Sequence, residues 1–258
     1  MSRKRRYKTS ASTPIKDAHF REILKAHLPI VKAIQKKSEW ANRYYHYWDL
    51  NAGPGIDING RVCSPLEFVA QAEWLNLNYH AWFIEWDKTS SEMLANFQNE
   101  HCEVICGDHN RILPELISSI PWHKAKTIFG LLYSDQSGNM PPFELLGLFS
   151  QQFKYADILV YVSSANIKRG LKAKPGKKRL TELMATVNKK YWIVRQPMDK
   201  HQWTFLIGSN WDNFPVFEHL GFYRTDCEKG REIMHRLDTI NEERKRKRKG
   251  GQCVHEVA

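Results

Sequence analysis

Cysteine is scarce in this chain of 258 residues: five are present, at positions 63, 102, 106, 227 and 253, with no CxxC pair among them. Thiols so few and so scattered build neither a disulfide framework nor a paired-cysteine zinc site. Cys102 and Cys106 are the one close pair, and the second pair that would complete a tetrahedral site is missing, so no metal is expected. Long apolar runs are lacking too. No stretch of about 18 apolar residues occurs, and Met1 to Lys8 is basic with no apolar segment behind it. Neither a membrane span nor a secretory signal is expected, and the reading is a cytoplasmic protein with reduced thiols. The composition is 42% hydrophobic and 12% aromatic, that of a chain with a packed core.

The net charge is +11, and its location says more than its size. Arg3 to Lys8 carries five basic residues; Lys168, Arg169, Lys172, Lys174, Lys177, Lys178 and Arg179 make seven; Arg244 to Lys249 makes six. None of these segments holds an acid. Setting their 18 aside leaves 21 Lys and Arg against 28 Asp and Glu, so the body carries about −7. Basicity concentrated in two tails and one loop is the footprint of polyanion binding, because each phosphate contact releases condensed counterions. For the tails alone, a solubilising or targeting role is the bland alternative.

Apolar, strand-like runs alternate with amphipathic stretches, which predicts an α/β fold: a mostly parallel sheet with helices on both faces. The seven strands expected are Tyr44 to Leu50, Tyr79 to Glu85, Val104 to Cys106, Thr127 to Tyr133, Ile158 to Val162, Tyr191 to Val194 and Trp203 to Ile207. Helices are expected over Pro65 to Asn76, Ser90 to Asn99, Arg111 to Ile117, Pro142 to Phe153 and Leu180 to Asn188. The last two strands are joined only by Pro197 to His201, too short for a parallel crossover, so the last strand should be antiparallel. Residues 1–11 and 242–258 read as basic flexible tails around a single domain, 12–241, with a basic rim loop at 166–179.

Three successive strand ends carry chemistry. Asp49-Leu-Asn51-Ala52-Gly53-Pro-Gly55 follows the first strand, with glycines where the chain turns tightly and its backbone meets a ligand. Glu85 ends the second strand, where a carboxylate accepts from ribose hydroxyls. Gly107-Asp108 ends the third, where a short acid meets an adenine edge. Beyond the fourth strand comes Tyr133-Ser-Asp135-Gln-Ser-Gly-Asn139-Met-Pro-Pro-Phe143. An acid there lies beside the ligand crevice, where it orients a nucleophile or takes its proton; the structural alternative for Asp135 is an N-cap for the following helix. Asn139 is the second candidate for that role.

This series resembles the Rossmann-like S-adenosylmethionine-dependent methyltransferases over roughly Trp48 to Ile207. The resemblance implies a seven-stranded Rossmann-like methyltransferase sheet. It implies S-adenosylmethionine held by Asp49, Asn51, Ala52, Gly53, Gly55, Glu85, Gly107 and Asp108, with Asp135 and Asn139 at the reacting centre. A dinucleotide site calls for GxGxxG, and Gly53-Pro-Gly55-Ile-Asp-Ile58 lacks the third glycine. A closer likeness is to the three-Cys-motif partner proteins of phages and mobile elements. It rests on the Asp-Leu-x-Ala-Gly-Pro-Gly turn, Asp135-x-x-Gly138, Pro142-Phe-Glu-Leu-Leu146, and Ser163-Ser-Ala-Asn-Ile-Lys-Arg169; Gln136 replaces the proline usual in that group. It implies a protein partner encoded nearby.

The basic loop at the rim points to nucleic acid, DNA or RNA, as substrate, since such loops grip phosphates without reading sequence. Amino-group methylation of a base is favoured over pyrimidine C5 chemistry, which needs a cysteine nucleophile near the fourth-strand loop; none lies between Cys106 and Cys227. Trp203, Trp211, Phe214 and Phe222 either stack bases or fill the core. The alternatives are a nucleic-acid-binding module that keeps the fold without catalysis, and a methyltransferase of some other substrate.

Overall fold

Aromatic and β-branched runs pair into the sheet, and the amphipathic segments between them cover it. The computed structural model describes residues 13–37, 43–125, 127–136, 138–173, 179–198, 202–212 and 214–238, with backbone alone for 171–173 and 215. The expected tails, and Lys174, Lys177, Lys178 and His201, lie outside the described residues. In chain order the elements are α1 (Thr13–Gln35), β1 (Tyr45–Asp49), α2 (Ser64–Trp74), β2 (Tyr79–Glu85), α3 (Lys88–Ala95) and β3 (Cys102–Cys106). Then come α4 (His109–Ser119), α5 (Trp122–Ala125), β4 (Phe129–Ser134), α6 (Phe143–Gln152), β5 (Tyr155–Ser163), α7 (Ser164–Ala173) and α8 (Leu180–Met184). The chain continues through β6 (Tyr191–Arg195), β7 (Trp203–Ser209), α9 (Pro215–Glu218) and β8 (Phe222–Arg224) into a helix, α10, over 228–238.

The strands form one sheet in the order β3-β2-β1-β4-β5-β7-β6-β8. β1 pairs in parallel with β2 and β4, β2 with β3, and β4 with β5. β7 runs antiparallel to both β5 and β6, as its short connection to β6 requires. The sheet has eight strands among the described residues, not seven. β8 joins the edge through Ile193↔Arg224 to Arg195↔Phe222, and it escaped the sequence because three residues are too few to show alternation.

Alternate residues along the strands feed two cores. One face packs Tyr47, Phe83, Leu131 and Leu159 under α1, α2, α3 and α9; the other packs Trp48, Ile84, Leu132 and Val160 under α4, α6, α8 and α10. Among the described residues, no helix is long and apolar enough to cross a membrane. Helix α1 is not among the elements that the sequence pattern predicts. Its buried stripe is Phe20, Ile23, Leu24, His27, Leu28, Val31 and Gln35, at three- and four-residue spacing. Two of those seven are polar and Pro29 lies inside the helix. Both polar residues are satisfied by distant groups. His27 Nε2 bonds the Tyr45 hydroxyl at 2.8 Å, and Gln35 Nε2 donates to the Asn78 carbonyl at 2.6 Å.

Candidate functional site

The carboxyl ends of β1, β2, β3 and β4 meet along one edge. After β1 the chain turns through Asn51 and Ala52, whose N–H donates to the Ile84 carbonyl at 3.1 Å. Gly53 and Gly55 then take φ values of 71° and 78°, in the left-handed region that glycine adopts without a Cβ clash. A Cβ on Gly55 would also stand 3.0 Å from Leu94 Cδ1. Glu85 braces this turn from the next strand: Oε2 accepts from the Gly53 N–H at 2.7 Å and Oε1 from the Asp87 N–H at 2.7 Å. Burial raises the Glu85 pKa against these bonds and one from the Trp86 N–H.

Gly107 is tied in by its N–H, which donates to the Glu85 carbonyl at 2.9 Å. Asp108 is the N-cap of α4, Oδ1 accepting from the Asn110 N–H at 2.9 Å, and these bonds hold its pKa below the usual carboxylate value. Asp108 thus has a structural duty at the place expected for adenine recognition. Beside Glu85 stands Trp86, 68% exposed, a residue that no sequence motif singles out.

Asp49 is fully buried at the end of β1. Its carboxylate accepts from the Ser64 hydroxyl at 2.6 Å, the Tyr47 hydroxyl at 3.3 Å and the Asn51 N–H at 3.2 Å. Burial outweighs these bonds and pushes its pKa up to about 7. The Oδ1 of Asn51 is buried without a hydrogen-bond partner, an orphan acceptor at the edge of the same turn.

Asp135 follows β4 directly and lines a pocket with Asn51, Ala52, Lys16, Asp17 and Cys63. Its Oδ2 accepts from Lys16 Nζ, so the first turns of α1 bring a cation onto the candidate acid across 119 residues of sequence. Burial pulls the Lys16 pKa down, but the charge and hydrogen bond of Asp135 more than reverse this, and the ammonium stays charged. No local signal announces this pair. The N-cap alternative for Asp135 fails, because the α6 cap is Pro142 and no side chain bonds it. Gln136 is buried and meets His109 Nε2 at 3.0 Å, filling the place of the expected proline with a tethered amide. Asn139 is exposed beyond this turn, does not line the pocket, and is not brought together with Asp135. Cys63 does line it, although it lies far from the fourth-strand loop in sequence; burial pushes its thiol up to about 12, so it is protonated and a poor nucleophile at neutral pH.

At the rim the expected loop is instead helical as far as Ala173, in α7, where Arg169 is exposed and its Nη2 donates to Asn166 Oδ1 at 2.7 Å while lying 3.8 Å from a Cβ placed on Gly138 of the reaction loop. Lys168 is half-buried and Arg179 exposed at the start of α8; the side chain of Lys172 lies outside the described residues. Trp203 and Phe222, at 2% exposure each, belong to the core. Trp211 is exposed but sits at the far end of β7, 5.8 Å from the Tyr155 ring at the start of β5, away from the pocket.

No protein-family model matches the chain, and neither does any curated protein. Solved structures do. Protein LPL1258 from Legionella pneumophila aligns over 89% of this chain and 93% of its own, with 12% identity and a TM-score of 0.50. The bifunctional kinase-methyltransferase WbdD aligns over 83% and 46%, with 12% identity and a TM-score of 0.46. The putative methyltransferase YhhF from Escherichia coli aligns over 80% and 91%, with 13% identity and a TM-score of 0.39. At these identities the likeness is one of fold, and of these three the Legionella protein alone reaches a TM-score that carries it.

Proposed function

We propose that this chain is an S-adenosylmethionine-dependent methyltransferase acting on an amino group of a nucleic-acid base, akin to the three-Cys-motif partner proteins. The observation that carries the proposal is the cross-braced edge: the Gly53 turn bonded to Glu85, with Gly107 tied to Glu85 in turn, at three adjoining strand ends. The residues fit the group. An orphan acceptor on Asn51, the Glu85 carboxylate at the glycine turn and glycines that admit close approach match a ligand that carries an ammonium, a ribose diol and an adenine.

When bound, the cofactor supplies an electrophilic methyl on a sulfonium. Glu85 accepts from the ribose hydroxyls, Asp108 and the Gly107 backbone flank the adenine, and Trp86 offers it an apolar face. Asn51 would take the ammonium end, its backbone N–H held by the buried Asp49 beneath it. Asp135, its Oδ2 engaged by Lys16, retains Oδ1 to accept from an acceptor N–H and hold its lone pair toward the methyl. Arg169 and the neighbouring cations hold substrate phosphates.

A second reading, a nucleic-acid-binding module without catalysis, draws on the Lys16 ammonium that occupies the candidate acid. Tritiated S-adenosylmethionine offered with DNA, RNA and protein pools, followed by nucleoside mass spectrometry, separates the two. Label in an N-methylated nucleoside is the expected result. Cofactor and nucleic-acid binding without transfer would select the second reading, and label in protein alone would refute the substrate class.

A further inference from the structure

A groove of about 710 Å³ runs between α8, α10 and β6, on the sheet face opposite α1. Its ends are fixed by hydrogen bonds. At one end Asp238 Oδ1 accepts from the Leu180 N–H at 3.1 Å and Arg236 Nη2 donates to Gln202 Oε1 at 2.9 Å. Gln202 precedes β7, and its carbonyl accepts from the N–H of Ser164, just past the end of β5, so this end belongs to the edge that carries Asp135. At the other end Lys189 Nζ donates to the Phe153 and Lys154 carbonyls at 3.2 Å, beside the start of β5. The groove thus runs across the sheet from the reaction edge, along the roughly 11 Å of α10 between Arg231 and Asp238.

Its lining is mostly basic. Arg179, Lys189, Lys190 and Arg231 line it against the carboxylate of Asp238. Trp192, Met184 and Met234 form an apolar floor. Arg179, Lys190 and Arg231 are exposed. Arg179, the last of the seven cations of the rim segment, lines the groove. The chain's own C-terminal segment is a poor occupant, because Arg244 to Lys249 repeats the charge of the groove.

We propose that this groove is a second anion-binding tract, which carries one phosphodiester strand of the nucleic-acid substrate away from the reaction edge. The inference rests on the nucleic-acid reading above. The cavity takes a few nucleotides of one strand, not the width of a duplex. DNA and RNA present the same phosphodiester chemistry here.

The test is fluorescence anisotropy of labelled single-stranded DNA and RNA oligonucleotides with the full chain, titrated at several salt concentrations. Wild type is compared with the paired variant Lys190→Gln, Arg231→Gln, and with the charge-reversed pair Lys190→Glu, Arg231→Glu. Both sites are exposed, and an unchanged melting temperature with unchanged cofactor calorimetry shows that the variants are folded. The Gln pair is expected to flatten the slope of log affinity against log salt by about 1.4, at about 0.7 for each phosphate that is no longer neutralised, and the Glu pair to weaken binding further. Equal slopes and affinities in all three proteins would overturn the groove while leaving the nucleic-acid reading intact. Failure of wild type to bind either strand would overturn both. A groove-dependent acidic peptide, with oligonucleotide binding unchanged by the substitutions, would reassign the tract to another partner and overturn the proposal. Groove-dependent strand binding with no methyl transfer would support the tract and count against the enzyme.

Discussion

Asp49 ties the stability of the protein to pH in a way that isolates one carboxylate. The unfolded value is 3.8 and burial pushes the folded value up to about 7. Between those values the folded chain holds the proton more firmly than the unfolded chain, so the stability this group contributes is full below about pH 4 and is lost as pH rises toward 7. One unit is worth about 1.4 kcal/mol, so the loss between pH 5 and 7 is about 2 to 3 kcal/mol. Asp49→Asn keeps the shape and cannot ionise. Glu85, Asp17 and Asp157 are shifted in the same direction, while His27 and His46 are shifted down, but all of these cancel in the difference between wild type and variant. Urea unfolding across that range should show the stability of Asp49→Asn gaining on wild type by that amount, above a constant offset from altered bonds to Ser64 and Tyr47. Parallel stability curves for the two proteins from pH 5 to 7 would refute the buried-carboxylate argument outright.

Gly53→Leu forces a side chain into a φ of 71°, and Glu85→Ala removes the brace of the turn; each should weaken S-adenosylmethionine binding at least tenfold, about the worth of a hydrogen bond to a charged group. Isothermal titration calorimetry follows the binding, and unchanged affinity in both variants would remove the cofactor site from this edge. Asp135→Asn should leave cofactor affinity within a few-fold and lower turnover by about 100-fold, the scale of one positioned acid-base group; normal methylation by the folded variant would rule out its catalytic role. Phe20 is buried with its ring 4.4 Å from that of Tyr133, so Phe20→Ala should destabilise by about 3 to 5 kcal/mol in urea unfolding, and a change under 1 kcal/mol would show that α1 is not held by this contact.

The sequence was most legible where the signal is local. Each of the seven expected strands is present within three residues at either end, since runs such as Tyr79–Glu85 declare themselves by composition and by the turns that bound them. The glycine turn was legible for the same reason: left-handed backbone at Gly53 and Gly55 leaves few other residues possible. Signals weakened where one residue serves two purposes. Asp108 reads as a ligand acid and also as a cap, and only the Asn110 contact reveals the second duty. Glu85 likewise reads as a ribose acceptor, while its bond to Gly53 shows that it also builds the turn.

What stayed hidden depends on contacts between distant segments. Lys16 and Asp135 are separated by 119 residues, and neither position predicts the other. Their meeting requires α1 to dock, and α1 docks through a stripe in which His27 and Gln35 stand where a periodicity argument looks for apolar residues. Those two are tolerated in the interior because Tyr45 and the Asn78 carbonyl satisfy them, a fact that belongs to β1 and to the start of β2 rather than to the helix. The same docking buries Phe20 against Tyr133, two residues before Asp135. The helix least visible in the sequence therefore does two things at once: it covers the end of β4, and it sets a cation on the acid that β4 presents.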